Sequence, residues 1–386
     1  MKRVFSLLFC AAALLNFAAC SDNDDLDTDV TTPDTDGDTD ADADTDNDEA
    51  TISDYLYTLN GGSYQSNNSS LSSYNVDTES SVDCIFSTVN GQGLGDTAQD
   101  IMLFEDEIYI TLYGSRVIFV TDLKGTIITE IRDAADRYQL PRYLVTDGEY
   151  IYVSYYDGGV AKIDPATYEI VASADVGINP DQLVEVDGNL YITISQGSGN
   201  YNDCNTIDVY DTATLTYTKS IEVILNPISI TADDNGNLYV LSMGNYGYGD
   251  PAIYTTLQKI DTEGTVSIID VTYIEDATPS LIAMGADDKL YVVEGVSNAS
   301  TGWTMVGDIY AYDTVTGDIT TFITDGTSIP NMYSLSYDME SGELYVGTSD
   351  YINTGDVYVY NADGTLKTTF GVGLNPVKSI AVSIEE

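Results

Sequence analysis

Residues 179–211 read NPDQLVEVDGNLYITISQGSGNYNDCNTIDVYD. A short apolar run opens at Pro180 and turns at Asp187-Gly188. An apolar–tyrosine pair follows, Leu190-Tyr191, then a polar loop, then an alternating run from Ile207 to Asp211. Proline fits a strand's first residue because no ladder bond is lost there, and Asp-Gly suits a tight hairpin. The segment predicts three short antiparallel strands in succession.

That succession recurs. The apolar–tyrosine pair stands at Leu56-Tyr57, Ile108-Tyr109, Ile151-Tyr152, Leu190-Tyr191, Leu238-Tyr239, Leu290-Tyr291 and Leu344-Tyr345. The mean spacing is about 48 residues, the length of a propeller blade. Ahead of the later pairs lie turns such as Asp147-Gly148, Asn235-Gly236 and Ser341-Gly342, and ahead of those a short apolar strand. Its openers are Pro141, Pro180, Pro227, Pro279, Pro330 and Pro376. The third strands end at Asp122, Asp164, Asp211, Asp261, Asp313 and Asn361, whose side chains can cap the next turn. A fourth strand, such as TIITEI at 126–131, completes each unit. Residues 375–382, NPVKSIAV, have the pattern of a first strand, whereas the opening segment, Tyr55 to Leu59, begins at a second strand. The reading is an all-β fold: a seven-bladed β-propeller of four-stranded antiparallel blades, closed by the C-terminal strand joining the N-terminal blade. The tyrosines of the second strands are expected to pack between blades.

Composition narrows function. The 386 residues include 63 Asp and Glu against 13 Lys and Arg, a formal charge of -50, which disfavours nucleic acid and anionic membrane surfaces as partners. There is no histidine, so Ser-His-Asp and Cys-His catalytic sets and His-ligated metals are excluded. The 31 Tyr against 8 Phe and 1 Trp suit strands and wet binding faces.

The N-terminus reads as targeting. Lys2 and Arg3 precede an apolar run from Val4 to Phe17, which ends in Phe17-Ala18-Ala19-Cys20. This resembles a bacterial lipobox and implies cleavage before Cys20 and lipidation of that residue; a plain secretory signal is the alternative. Residues 1–19 are then a lipoprotein signal peptide, 20–50 a lipidated cysteine and disordered Asp-rich tether, and 51–386 the propeller. The tether has almost no large apolar side chain, and its like charges repel. Asp34, Asp36 and Asp38 faintly resemble a calcium loop without its downstream Glu; a solvated spacer is the simpler reading. The acidic residues after Cys20 resemble a surface-export signal, which implies an outer-membrane lipoprotein facing the cell exterior, bound to the membrane through its lipid alone. Cys10 leaves with the signal. Cys84 and Cys204 fall in different repeats and are expected to be two separate buried thiols.

Connections in a propeller alternate between two faces. The second-to-third-strand loops carry Tyr64, Tyr113, Tyr155, Tyr156, Tyr201, Tyr246, Tyr248, Trp303 and Tyr351 among Gly, Ser and Asn. The turns of the opposite face, such as DDNG and DMESG, are short and acidic. Tyr-, Ser-, Gly- and Asn-rich loops have the chemistry of a paratope: stiff rings for contact area, amides and backbone for hydrogen bonds. The same rings could instead simply cover loop backbone. At the axial mouth, the residues following the first-strand openers add Gln99, Arg142, Asp181, Ser280 and Asn331. Arg116 and Arg142 are cations that could meet a phosphate or carboxylate, or pair with neighbouring acids. The candidate ligand-binding set is therefore Gln99, Tyr113, Arg116, Arg142, Tyr155, Tyr156, Asp181, Tyr201, Tyr246, Tyr248, Trp303, Asn331 and Tyr351. No catalytic or metal-binding residues are assigned.

The run NGQGLGDTAQDIMLFEDEIYITLYGSRVIFVTDLKG at 90–125, together with the later Asn-Pro-initiated repeats, resembles the YncE-like propeller lipoproteins of the Bacteroides group. Gly93 to Asp100 is its most specific part. Within that group the resemblance is to the BtuG type. It implies a surface protein that captures cobalamin, as a transported ligand and not a cofactor, and passes it to a TonB-dependent outer-membrane transporter. No contact motif is carried over residue by residue. A corrin ring offers apolar patches to Tyr and Trp, amide arms to polar loops and a phosphate to arginine. Two rivals remain: a glycan-binding surface lipoprotein of a polysaccharide-uptake system, and a protein-binding or adhesive propeller. An enzyme is disfavoured by the missing histidine and scarce cations.

Overall fold

The computed structural model describes residues 52–177, 179–195, 204–245, 251–271, 277–286, 288–296 and 306–385. These form a seven-bladed propeller, each blade a four-stranded antiparallel sheet. The inner strands, in ring order, are Pro376–Glu385, Ala98–Phe104, Pro141–Thr146, Pro180–Val186, Pro227–Ala232, Thr278–Met284 and Met332–Tyr337, and they number blades 1 to 7. The predicted closure is present. Pro376–Glu385 pairs with Ile52–Asn60, and that strand pairs with Ser70–Asn75, so the two chain ends share blade 1.

The core lies between blades. One apolar cluster joins Tyr109, Ile118 and Val120 of blade 2 to Leu144, Val153 and Ile163 of blade 3, and similar clusters follow around the ring. The second-strand tyrosines belong to these seams. Tyr57, Tyr109, Tyr152, Tyr239, Tyr291 and Tyr345 are buried, and Tyr191 is half-buried. Their phenols find partners there: Tyr57 donates to the Leu123 carbonyl of the next blade, and Tyr152 to Asp147 and to the Thr212 carbonyl. Burial, aided by neighbouring carboxylates, raises the phenol pKa of Tyr109 and Tyr239 far above its ordinary value.

The aspartates ending the third strands cap turns, as their positions predict. Asp261 accepts from the Glu263 and Thr265 amides, Asp313 from those of Val315 and Thr316, and Asp211 from that of Thr214. The Thr265 and Thr316 backbone bonds, and the Thr214 hydroxyl on Asp211, hold these carboxyls below their ordinary value. A depressed folded pKa gives stability that is complete above the unfolded value, about 4, and lost as pH falls through the folded one. The variant carrying Asp211→Asn, Asp261→Asn and Asp313→Asn should melt below wild type at about pH 7, with the gap closing at about pH 3. Thermal melts at the two pH values check this; a gap of constant size contradicts it.

Two expectations need correction. Cys84 and Cys204 are both half-buried, and Cys204 is a free thiol. They are separate, but they are not two buried thiols. Pro330 does not open its strand, which begins at Met332.

Candidate functional site

Six blades, 1 to 5 and 7, meet the loop face through one recurrent contact. The residue beyond the second strand donates its amide to the carbonyl just before the first strand. Examples are Gly61 to Asn375, Tyr113 to Thr97, Ser195 to Asn179, Met243 to Asn226 and Ser349 to Asn331. These acceptor residues adopt left-handed backbone: Thr97 at φ 56, Asn179 at 48, Asn226 at 62, Asn331 at 50 and Asn375 at 58. Asparagine tolerates that region better than most residues, which is the physical content of the repeated Asn-Pro. It also corrects the register of blade 7. Asn331 is the counterpart of Asn179 and Asn375, not of Arg142 and Asp181. Met332 takes the place of the proline, and Tyr333, not Asn331, takes the mouth position.

These contacts bring the second-to-third loops and the fourth-to-first connections onto one face. There Tyr64, Tyr113 and Tyr156 form a chain, and Tyr333 and Tyr351 a separate pair. The Tyr64 and Tyr113 rings lie 6.3 Å apart at 57°, and Tyr113 and Tyr156 5.5 Å apart at 81°. The Arg142 guanidinium stands 5.5 Å from the Tyr156 centroid and 5.0 Å from that of Tyr143. Tyr333 and Tyr351 pack edge to face at 5.5 Å. The rings come from blades 7, 1, 2 and 3, four neighbours in the ring, so they make a crescent over about half of this face. Tyr64 and Tyr351 are exposed; Tyr113, Tyr156 and Tyr333 are half-buried.

Acidic side chains brace this crescent by accepting backbone amides. Asp96 accepts from Gln65 in the Tyr64 loop through its carboxylate, and from Gly114 and Ser115 in the Tyr113 loop through its carbonyl. Asp157, beside Tyr156, accepts from Gln139 and Leu140. Asp350, beside Tyr351, accepts from Ile352 and Asn353. Gly158 makes the tight turn after Tyr156: its φ is 107°, and a Cβ there would stand 2.5 Å from the Gly177 carbonyl oxygen.

Toward the axis, the register of every blade shifts once near the loop-face end of the inner strand. Such bulges re-aim side chains. The channel they border holds about 510 Å³. Its loop-face end is polar, with Asp100, Tyr143, Gln182, Ser229 and Lys378; further along, the partly exposed Met102, Ile282, Leu335 and Ile380 are apolar. Lys378 meets Asp100 at 2.8 Å, and Arg142 meets Asp181 at 3.1 Å. Over blades 1 to 4 the charges therefore alternate plus, minus, plus, minus. Burial raises Asp181's carboxyl above its ordinary value against the pull of Arg142, and pushes the Tyr143 phenol up to about 12.

The sequence candidates divide accordingly. Tyr113, Tyr156 and Arg142 come together; Tyr351 lies in the same crescent but packs on Tyr333; Gln99 lines the channel. Asp181 is buried and committed to Arg142, so local pairing, not a free cation, describes Arg142. Arg116 is exposed and bonds to the Gln139 amide oxygen at 2.7 Å. Tyr155 is only 2% exposed and packs on Tyr138 in the seam of blades 2 and 3, because consecutive strand residues face opposite ways. It is a core residue, not a contact of the loop face. Tyr201, Tyr246, Tyr248 and Trp303 lie outside the described residues. Tyr143, Tyr333, Lys378 and Gln182 were missed; the position of Lys378 two residues after Pro376 was the one usable signal. Among the described residues no group of three His, Cys, Asp or Glu is placed to hold a metal ion.

A family described as "Domain of unknown function (DUF5074)" matches residues 54–373. The chain belongs to this family. No curated protein matches. Among solved structures, this DUF5074 propeller is similar to hydrazine synthase of Kuenenia stuttgartiensis at 16% identity, covering 73% of this chain and 93% of that one, with a TM-score of 0.57. A computationally designed protein, Ika8, matches at 11% identity over 85% and 96% of the two chains, TM-score 0.53. The WD40 repeats of RRP9 match at 10% over 71% and 80%, TM-score 0.50. At these identities the likeness concerns the fold of the DUF5074 propeller alone.

Proposed function

We propose that this chain captures cobalamin or a related corrinoid on the loop face, as an outer-membrane lipoprotein anchored through Cys20 and facing the cell exterior, and delivers it to a TonB-dependent transporter. The observation that carries the binding reading is the braced crescent Tyr64–Tyr113–Tyr156 with Tyr333–Tyr351. Rings held by backbone bonds to Asp96, Asp157 and Asp350 lose little entropy when a rigid guest settles on them. Spacing of 5.5 to 6.3 Å between rings gives a broad apolar surface edged with phenol and amide groups. A macrocycle with amide arms matches both parts. The ligand class comes from the sequence resemblance of residues 90–125.

Arg142 does not enter as a free phosphate contact, since Asp181 already holds it. It enters by fixing the Tyr156 ring. With no histidine, the protein has no imidazole to offer cobalt, and recognition rests on surface complementarity.

Calorimetric titration of the purified protein with cyanocobalamin, and separately with a panel of neutral oligosaccharides, tests the reading. A saturable heat with the corrinoid and none with the glycans is expected. Heat with a glycan alone would transfer the crescent to the glycan-binding reading. Silence with both would leave a protein-binding face.

A further inference from the structure

We propose that the axial channel is a second binding site, separate from the crescent, for a small uncharged molecule with a carboxamide head and a slender apolar body. At about 510 Å³ the channel lies within the usual range for small-molecule sites, and its lining is mixed, with a polar loop-face end and apolar side chains beyond it. Its polar end would take the head, and the partly exposed apolar residues of its lining, Met102, Ile282, Leu335 and Ile380, the body.

The head group follows from counting donors and acceptors. Both Asp100 oxygens are engaged: one accepts from Lys378 Nζ and the Ile101 amide, the other from the Leu144 amide. The Lys378 ammonium has three N–H donors, of which Asp100 takes one. Gln182 Oε1 accepts from the Ser229 hydroxyl and the Ile230 amide, while its Nε2 has no partner among the described residues. Gln99 Oε1 also lacks one among them, while Gln99 Nε2 reaches only the adjacent Ala98 carbonyl. The upper channel thus offers several unused donors and an unused amide acceptor. A carbonyl oxygen beside an N–H answers both.

Charge excludes the alternatives. Lys378 is balanced by Asp100 and Arg142 by Asp181, Asp338 faces the same channel, and the chain carries a formal charge of -50. A carboxylate would enter against that field, and an ammonium could not accept from Lys378 or Gln182. The inference stands apart from the corrinoid reading, which concerns the loop rings.

Saturation-transfer NMR on the purified protein, with pentanamide, pentanoate and pentylamine as probes of matched tail, tests it. Pentanamide should give the strongest transfer. The signal should vanish in Ala283→Phe and in Ala381→Phe, which plug the channel from two different blades and should keep the wild-type melting temperature. Neither plug should change the heat of cyanocobalamin binding, so that failure here and failure of the loop-face reading are told apart. The proposal is overturned if pentanamide gives no transfer, if either charged probe equals or exceeds it in the wild-type protein, or if the signal survives in a folded plug variant.

Discussion

Deleting residues 376–385 should abolish cooperative folding. The segment is the inner strand of blade 1, paired with Ile52–Asn60 along its length, and it supplies Val382 and Ile384 to the core at 2% and 6% exposure. Burying two such side chains contributes roughly 4 kcal/mol. The strand also carries Lys378 to Asp100, Ser379 to Thr58 and the Ser379 amide to Ser336 of blade 7. Without it the ring loses its tie between blades 7 and 2, and blade 1 presents a long unpaired edge. Against a total stability of about 5–15 kcal/mol, these losses together are decisive. Circular dichroism melts of the truncated chain should show no sharp transition, and a synthetic peptide of residues 374–386 added in trans should restore one. A truncated chain that melts cooperatively near the wild-type temperature would refute the closure as the fold's keystone.

The second large effect concerns Arg142. Replacing it with Met should destabilise by about 3–5 kcal/mol, because Asp181 would remain buried without its partner. The side chains are 16% and 8% exposed, so water screens the pair little. Most of that cost belongs to the stranded carboxylate and not to the lost attraction. The double variant Arg142→Met with Asp181→Asn should therefore recover most of the melting temperature. If it melts as low as the single variant, the destabilisation comes from lost packing on Tyr143 and Tyr156 instead.

The contrast between the two regions explains what the sequence disclosed. Strand order, blade number and closure were legible because they follow from local signals: Asn-Pro openers, Asp-Gly turns, capping aspartates and apolar–tyrosine pairs. The candidate site was legible only where one loop carries its own ring, as with Tyr113 and Tyr156. The misreadings have physical causes. Tyr155 and Tyr156 are adjacent in sequence, and the alternation of strand side chains sends one into the seam and one onto the face. In blade 7, Pro330 stands where an opener was sought, yet the left-handed Asn331 marks the true start of the repeat, so Tyr333 was overlooked. The pairs Lys378–Asp100 and Arg142–Asp181 join residues far apart in the chain or in separate blades, and no spacing announces them.

The loop-face reading is tested most directly by titrating cyanocobalamin into the Tyr113→Ala, Tyr156→Ala double variant beside the wild type. Both rings are half-buried loop residues, so their loss should leave the melting temperature nearly unchanged. The account predicts a weakening of at least tenfold, about 1.4 kcal/mol, as expected for aromatic anchors near the centre of a contact. Wild-type affinity in a folded double variant would contradict it, because a ligand that ignores both rings is not held by the crescent.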